Sequence, residues 1–91
     1  MYYTYILFLA SSGKLYTGSA NNLKQRFQQH KLGKVNSTRA QNPVLIHYEG
    51  YVYKSDAQRR ERFLKTTEGK RLLRQQIRDI LEKLHYRSIE P

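Results

Sequence analysis

The first residues of the chain alternate apolar stretches with turn residues. Residues 3–9 are aromatic, β-branched or aliphatic, residues 11–14 contain two serines and a glycine, and residues 15–18 resume the apolar pattern. Two strands joined by a short loop that contains glycine predict an antiparallel hairpin.

A first helix is predicted between an asparagine pair and a glycine. Asn21 or Asn22 can supply the side-chain oxygen of an N-cap, and Gly33 stands where a C′ glycine belongs, so the helix is expected over about residues 23–32. Leu23 and Phe27 are four positions apart and should face the core.

The remainder of the chain predicts one more strand and two more helices. Residues 34–43 are typical of a polar loop, and residues 44–48 predict a strand that ends near Gly50. Ser55 and Gln58 have the spacing of a capping box, and Thr66 or Thr67 is expected to cap the last helix. The apolar stripe of that helix comprises Leu73, Ile77, Ile80, Leu81 and Leu84.

The predicted elements follow the order β-β-α-β-α-α. A hairpin and one later strand indicate a small three-stranded sheet covered by helices, which is an α+β fold. A chain of 91 residues is the size of one domain, so residues 1–91 are expected to form a single unit.

The charge of the chain indicates a polyanionic partner. The sequence contains 17 Lys and Arg residues and seven Asp and Glu residues, which gives a formal net charge of +10. Nucleic acid is the usual partner at this charge, an anionic membrane is the alternative, and solubility alone is a third explanation.

The composition also excludes several classes of site. The sequence has no cysteine, which rules out disulfides, cysteine-ligated zinc and thiol catalysis. The apolar start lacks the basic region and small-residue cleavage site of a signal peptide, and no apolar run approaches the roughly 20 residues that cross a bilayer. We expect a cytoplasmic protein that does not act at a membrane.

A few polar residues have the chemistry that phosphodiester hydrolysis needs. The reaction requires a group that handles the proton of water, a cation on the phosphate and a metal or acid at the leaving oxygen. Tyrosines on a hairpin more often pack across strands, and an arginine beside a histidine is more often a solvated face. The candidates are Tyr3, Tyr5 and Tyr16 on the hairpin, Arg26 and His30 on the first helix, and Glu61 on the second.

These residues stand in motifs that resemble those of the GIY-YIG nucleases. The two tripeptides that name the family correspond to Tyr3-Thr4-Tyr5 and Tyr16-Thr17-Gly18, and the first-helix motif corresponds to Asn22, Leu23, Arg26 and His30. Glu61 matches the family's metal-binding glutamate, with Lys65 four positions later. The resemblance covers about residues 3–65 and is closest to small bacterial proteins that consist of this domain alone. It implies an antiparallel three-stranded sheet flanked by helices.

The resemblance also implies roles for individual residues. Tyr5 and Tyr16 would lie at the phosphate, with Tyr16 in contact with the nucleophilic water. Arg26 would polarise the phosphate, His30 would assist proton transfer or hold the phosphate, and Glu61 would bind one divalent ion, Mg²⁺ or Mn²⁺. These roles require the five residues to converge on one concave face. Packing alone gives no reason for residues so far apart in sequence to meet, so their convergence is a test of the roles.

The chain departs from the family pattern at several positions. Tyr3 and Thr4 replace the glycine and isoleucine of the first tripeptide, and Ser19 stands where several relatives carry a lysine. No asparagine follows Glu61, although many members have one there. The missing lysine and the missing asparagine could lower activity, or Lys65 could supply the positive charge that the lysine provides in relatives.

The sequence leads to one main functional hypothesis and two alternatives. The main hypothesis is a divalent-metal-dependent nuclease, in particular an endonuclease with little sequence preference, that acts on nucleic acid; DNA is favoured over RNA, and the choice between them stays open. The alternatives are a nucleic-acid-binding module with weak or no catalysis and a protein-interaction module of a larger DNA-repair complex. The eight tyrosines favour unpaired bases as ligands, and the oligomeric state stays open. The cations expected to contact nucleic acid are Lys65, Arg39, Arg74 and Arg78.

Overall fold

Three strands form one antiparallel sheet in a computed structural model that describes residues 1–87. The strands are β1 (Tyr2–Leu9), β2 (Lys14–Ala20) and β3 (Pro43–Tyr51). β1 is central, with β2 and β3 at the two edges. The hairpin and the later third strand are therefore confirmed.

The helices follow the predicted order, and the α+β fold is confirmed. They are α1 (Leu23–Lys31), α2 (Lys54–Leu64), α3 (Thr67–Gln76) and α4 (Arg78–Lys83), with a short 3₁₀ turn at Asn36–Thr38. The last predicted helix is divided in two at Ile77, whose backbone leaves the helical region. The apolar stripe continues across the division because residues of both helices pack on the same cluster.

The two faces of the sheet carry separate cores. On one face, Ile6 packs with apolar residues of α2, α3 and α4. On the other face, Tyr5, Leu7 and Leu9 pack with Leu23 and Phe27 of α1, as the spacing of those two residues predicted. The alternation of side chains along β1 thus assigns α1 to one face of the sheet and the other helices to the opposite face.

Both ends of α1 are capped by the predicted residues. The side chain of Asn22 accepts a hydrogen bond of 3.0 Å from the backbone N–H of Gln25. Gly33 adopts a φ of +75°, and the next N–H, of Lys34, donates to the carbonyl of Gln29 at 3.0 Å. These bonds fix the length of the helix that carries Arg26 and His30.

The start of α2 differs from the prediction, whereas the start of α3 matches it. The capping box was wrong: α2 begins at Lys54, and its N-cap Tyr53 makes no side-chain capping bond, so Ser55 and Gln58 lie within the helix. The chain enters the helix directly from the extended backbone that follows β3. At α3, the Thr66 hydroxyl accepts from the N–H of Gly69 at 3.0 Å, which confirms a threonine cap.

The described helices are all too short or too polar to span a lipid bilayer.

Candidate active site

Tyr5 and His30 form a buried polar pair beneath the α1 face of the sheet. The phenol oxygen of Tyr5 lies 2.8 Å from Nε2 of His30, and both residues are about 1% exposed. The ring of Tyr5 passes directly over Gly18, where an added Cβ would stand 2.6 Å from the phenol oxygen. The glycine of the second tripeptide therefore makes room for the tyrosine of the first.

Thr38 holds the other nitrogen of the His30 ring. Its hydroxyl lies 2.8 Å from Nδ1 and donates to the carbonyl of Val35 at 3.4 Å. Because the Thr38 hydroxyl donates its proton to the Val35 carbonyl, its oxygen accepts from Nδ1–H of His30. Nε2 then carries no proton and accepts a hydrogen bond from the Tyr5 hydroxyl. Burial, and then the nearby charge of Arg26, lower the pKa of His30, so the ring is neutral at neutral pH.

Tyr16 covers the buried pair and is itself partly exposed. Its ring centroid lies 5.1 Å from that of His30 and 6.3 Å from that of Tyr5. Tyr16 pairs with Leu7 in the sheet, which places it on the α1 face with Tyr5. Of the two tyrosines expected at a phosphate, only Tyr16 reaches solvent, because Tyr5 is closed in by Gly18 and His30.

Arg26 lies one helical turn before His30 and borders the surface. The pKa of Arg26 is raised, mainly by a hydrogen-bonding interaction with Tyr5. Burial lowers the pKa in part, and the interaction with Tyr16 raises it further. The guanidinium also donates to Oε1 of Gln29 at 3.1 Å. Arg26 lines a cleft of about 300 Å³ that runs along the amino-terminal half of α1 to Ser19. A fixed positive charge in an open cleft suits an anionic ligand.

Glu61 is held at the edge of the sheet by two donors. Ser19 donates to Oε1 at 2.7 Å and Lys65 donates to Oε2 at 2.9 Å, while about 22% of the Glu61 side chain stays exposed. Burial would raise the pKa of Glu61, but the hydrogen bonds from Ser19 and Lys65 and the charge of Lys65 outweigh it, and the pKa is lowered. The carboxylate is therefore ionised at neutral pH.

The five residues to which the resemblance gives roles lie on both sides of the β2 edge of the sheet, with Glu61 on one side and Tyr5, Tyr16, Arg26 and His30 on the other. Ser19 pairs with Thr4, whose hydroxyl donates to the Ala57 carbonyl of α2, so Ser19 and Glu61 lie on the α2 side. The other four lie on the α1 side. The two groups approach each other around the free edge of β2, because Glu61 projects from the helix that packs behind that strand.

Ser19 links the two groups at that edge. It lines the cleft of Arg26 and also a second cleft of about 290 Å³ between β2 and α2, and the two clefts share Ala20 and Asn21. The charge of Glu61 contributes to raising the pKa of Tyr5, after the larger effect of burial.

The donor set of Glu61 fits a magnesium or manganese ion that keeps most of its water. Within residues 1–87, no three acidic or histidine side chains gather as a metal cage. Mg²⁺ is commonly bound by one or two carboxylates, with waters and substrate phosphates as its remaining ligands. Glu61 offers one ionised, partly exposed carboxylate beside Ser19, which also lines the cleft of Arg26, so it fits the role of a single carboxylate ligand.

The other predicted nucleic-acid contacts are dispersed. Lys65 is paired with Glu61 and lies at the site. Arg39 lies beyond the carboxyl end of α1, where it donates to the Gly33 carbonyl and to Asn36, both at 3.0 Å. Arg74 and Arg78 belong to α3 and α4, which cover the face of the sheet opposite α1. The structure therefore does not bring Arg39, Arg74 or Arg78 together with Arg26.

Sequence reasoning missed two residues that shape this site. Gly18 was only part of a motif, and its contact with Tyr5 depends on the register of two strands. Thr38 lies in a stretch predicted to be a polar loop, and it is fully buried against His30. No periodicity marks Thr38, so only the geometry of the loop could identify it.

Comparison with known proteins places these features in a family. The model of the GIY-YIG catalytic domain matches residues 1–75 of the chain. No curated protein and no solved structure matches it. The matched region contains both strands of the hairpin, α1, β3 and the helix that carries Glu61.

Proposed function

The chain belongs to the GIY-YIG catalytic domain family, a nuclease superfamily, and we propose that it is a divalent-metal-dependent endonuclease that hydrolyses phosphodiester bonds in DNA. The observation that carries the proposal is the position of Arg26 beside two tyrosines, in a cleft that reaches Ser19 and thus the residue that holds Glu61. We further propose that sequence preference is weak, because one small domain offers no separate element to read base edges.

Arg26 binds the scissile phosphate in this proposal. Its planar guanidinium can donate two hydrogen bonds to phosphate oxygens, and its charge counters the negative charge that grows in the transition state. Gln29 supports this role, since its side chain accepts from one end of the guanidinium and limits its orientations.

Tyr16 orients the attacking water. Its ring rests on the ring of His30, which keeps the partly exposed hydroxyl close to Arg26. The oxygen of this water forms the new bond to phosphorus and releases a proton to solvent, while the bond to the leaving oxygen breaks and the leaving oxygen takes up a proton from solvent. Positioning the water against a bound phosphate removes much of the entropic part of the barrier.

Tyr5 and His30 act as positioning residues under Tyr16 and Arg26. Burial raises the pKa of Tyr5, partly offset by its hydrogen-bonding interaction with Arg26, so Tyr5 is a protonated phenol at neutral pH. A phenol that donates to Nε2 leaves its oxygen free to accept from Arg26. The pair therefore fixes the guanidinium from below.

Glu61 would hold the divalent ion, with Ser19 keeping one carboxylate oxygen in place. The ion supplies charge stabilisation at the phosphate when it is bound. Lys65 must then give up its direct pairing with Glu61, and its charge remains available to the nucleic acid.

A nucleic-acid-binding module without catalysis is the second candidate. The observation that favours it is the direct contact between Lys65 and Glu61, since an ammonium already neutralises the carboxylate proposed as metal ligand. Such a module would bind DNA through its cations and leave every phosphodiester bond intact.

One assay separates the two candidates. The purified protein is incubated with labelled single-stranded and duplex DNA in Mg²⁺ or Mn²⁺, and then with a chelator. The nuclease proposal expects cleavage with either ion that the chelator stops. DNA binding without cleavage in either ion would instead support the binding module.

A further inference from the structure

A third cleft lies on the α1 face, on the flank of α1 opposite Arg26. Its volume is about 540 Å³, within the roughly 300–1,000 Å³ typical of ligand sites. Asn21 and Asn22 line both this cleft and the cleft of Arg26, so the two meet around the amino-terminal end of α1. Besides the two asparagines, this aromatic cleft is lined by Tyr3, Tyr48, Phe27, Leu45, Leu23 and Lys24.

The aromatic cleft presents ring surface to solvent. The rings of Tyr3 and Tyr48 meet edge to face with centroids 6.0 Å apart, and Tyr48 is 57% exposed. Tyr48 pairs with Tyr5 across the sheet, and Tyr3 is two residues before Tyr5, so both rings lie on the α1 face. An exposed tyrosine braced by a second ring is a preformed surface for stacking.

Neither ring is needed by the site at Arg26. Tyr3 replaces the glycine of the family's first tripeptide, and it pairs with Gly50 of β3 in the sheet. The adjacent sheet core is complete without Tyr48, because the buried residues on this face are Tyr5, Leu7 and Leu9.

Two lysines border this apolar surface. Lys24 lines the aromatic cleft, and the ammonium of Lys31 lies 5.7 Å from the ring centroid of Phe27. The chain as a whole carries a net charge of +10. A ligand that joins a flat apolar ring to an anionic backbone matches this combination better than an apolar peptide does.

We propose that the aromatic cleft binds an unpaired base of the strand whose phosphate lies at Arg26. The proposal rests on the proposed function and deepens it, because it names single-stranded or flapped nucleic acid as the substrate class. Tyr3 and Tyr5 are separated by about 6.7 Å along β1, so the base site and the phosphate site are neighbours on one face. A base inside a duplex cannot reach the cleft unless it is first unstacked.

The test measures binding without metal, so that it does not depend on cleavage. Fluorescence anisotropy in chelator compares a short oligothymidylate, an abasic strand with the same phosphates, and a blunt duplex. The wild type should bind oligothymidylate roughly 5- to 100-fold more tightly than the abasic strand, the scale expected for stacking on a protein ring. Equal affinity for the two single strands would overturn the proposal, and this comparison requires no variant.

Variants then locate the base. Tyr48→Ala should reduce affinity for oligothymidylate about tenfold and leave affinity for the abasic strand unchanged, while Tyr48→Phe should retain both. The control is Tyr53→Ala, because Tyr53 is 69% exposed but lies outside the cleft. Equal effects of Tyr48→Ala and Tyr53→Ala would overturn the assignment, as would a dimer that Tyr48→Ala dissociates.

The proposed function and this inference fail in different ways. A protein that never cleaves DNA but prefers oligothymidylate to the abasic strand would refute the nuclease and retain the base site. A protein that cleaves duplex and single strand equally well, with no effect of Tyr48→Ala, would retain the nuclease and refute the base site.

Discussion

Tyr5 and His30, 25 positions apart in sequence, are joined by a buried hydrogen bond of 2.8 Å between the phenol oxygen and Nε2. The bond connects the central strand to α1 and lies directly beneath Tyr16. Because Thr38 contacts the opposite ring nitrogen, Tyr5, His30 and Thr38 form a hydrogen-bonded chain through the core on the α1 side of the sheet. Every buried side-chain nitrogen or oxygen atom within residues 1–87 has a hydrogen-bond partner, including those of this chain.

Removal of the Tyr5 hydroxyl should destabilise the fold. Tyr5→Phe keeps the ring but leaves Nε2 of buried His30 without its partner, at a cost of about 1–3 kcal/mol in the free energy of unfolding. Chemical denaturation measures the change. Tyr53→Phe serves as the control because Tyr53 is largely exposed, and equal stability of the two variants would contradict the role of the bond.

The lowered pKa of His30 predicts a stability that falls with acidity. The unfolded chain takes up the proton near pH 6.5, whereas burial and Arg26 keep folded His30 neutral to lower pH. The free energy of unfolding should therefore be fully retained above about pH 6.5 and fall as the pH drops below it. Denaturation of wild type and His30→Gln at a series of pH values provides the test, and an equally steep fall in the variant would exclude His30 as the cause.

Gly18 should not tolerate a side chain. In Gly18→Ala the new Cβ would stand 2.6 Å from the Tyr5 oxygen, so the ring must move and the bond to His30 must lengthen. We expect a loss of about 1–3 kcal/mol in the free energy of unfolding, measured by denaturation. Gly50→Ala is the matched control on β3, since its nearest neighbour is the flexible end of Met1 at 3.3 Å. Similar losses in both variants would contradict the specific role of Gly18.

Local chemistry made much of the fold predictable. Asn22, Gly33 and Thr66 act at helix ends through their own backbone neighbourhood, and each stands where its residue type indicated. Ser55 was assigned by the same logic and was wrong, because the extended chain after β3 carries Tyr53 straight into the helix.

Candidate residues could be selected from the sequence, but their arrangement could not. Motif spacing singled out Arg26, His30 and Glu61 as candidates, yet it could not say that β2 runs between Glu61 and the other two. Alternation along β2 puts Tyr16 and Ser19 on opposite faces, but only the packing of α2 against the sheet shows that Glu61 meets Ser19. Burial of Thr38 likewise depends on how the loop after α1 folds back, which no local pattern encodes.

Loss of the Arg26 charge should lower turnover more than binding. Arg26→Ala is expected to reduce kcat by about 100-fold or more, the scale seen when one transition-state donor is removed, with a far smaller change in KM. Steady-state cleavage of a labelled strand gives both constants. Lys24→Ala is the matched control on the same helix, because Lys24 lies on the flank of the aromatic cleft and should affect KM rather than kcat.

Glu61→Gln, measured as cleavage rate against metal concentration, tests the central claim most directly. The amide keeps the shape and can still accept from Ser19, but it loses the charge that holds a hard cation. We predict no cleavage in Mg²⁺ or Mn²⁺, with an unchanged fold and with DNA binding equal to or slightly tighter than that of wild type. Glu68→Gln, a carboxylate change on α3 paired with Arg71, should cleave normally. Cleavage by Glu61→Gln at the metal concentrations that support wild type would contradict Glu61 as the ligand.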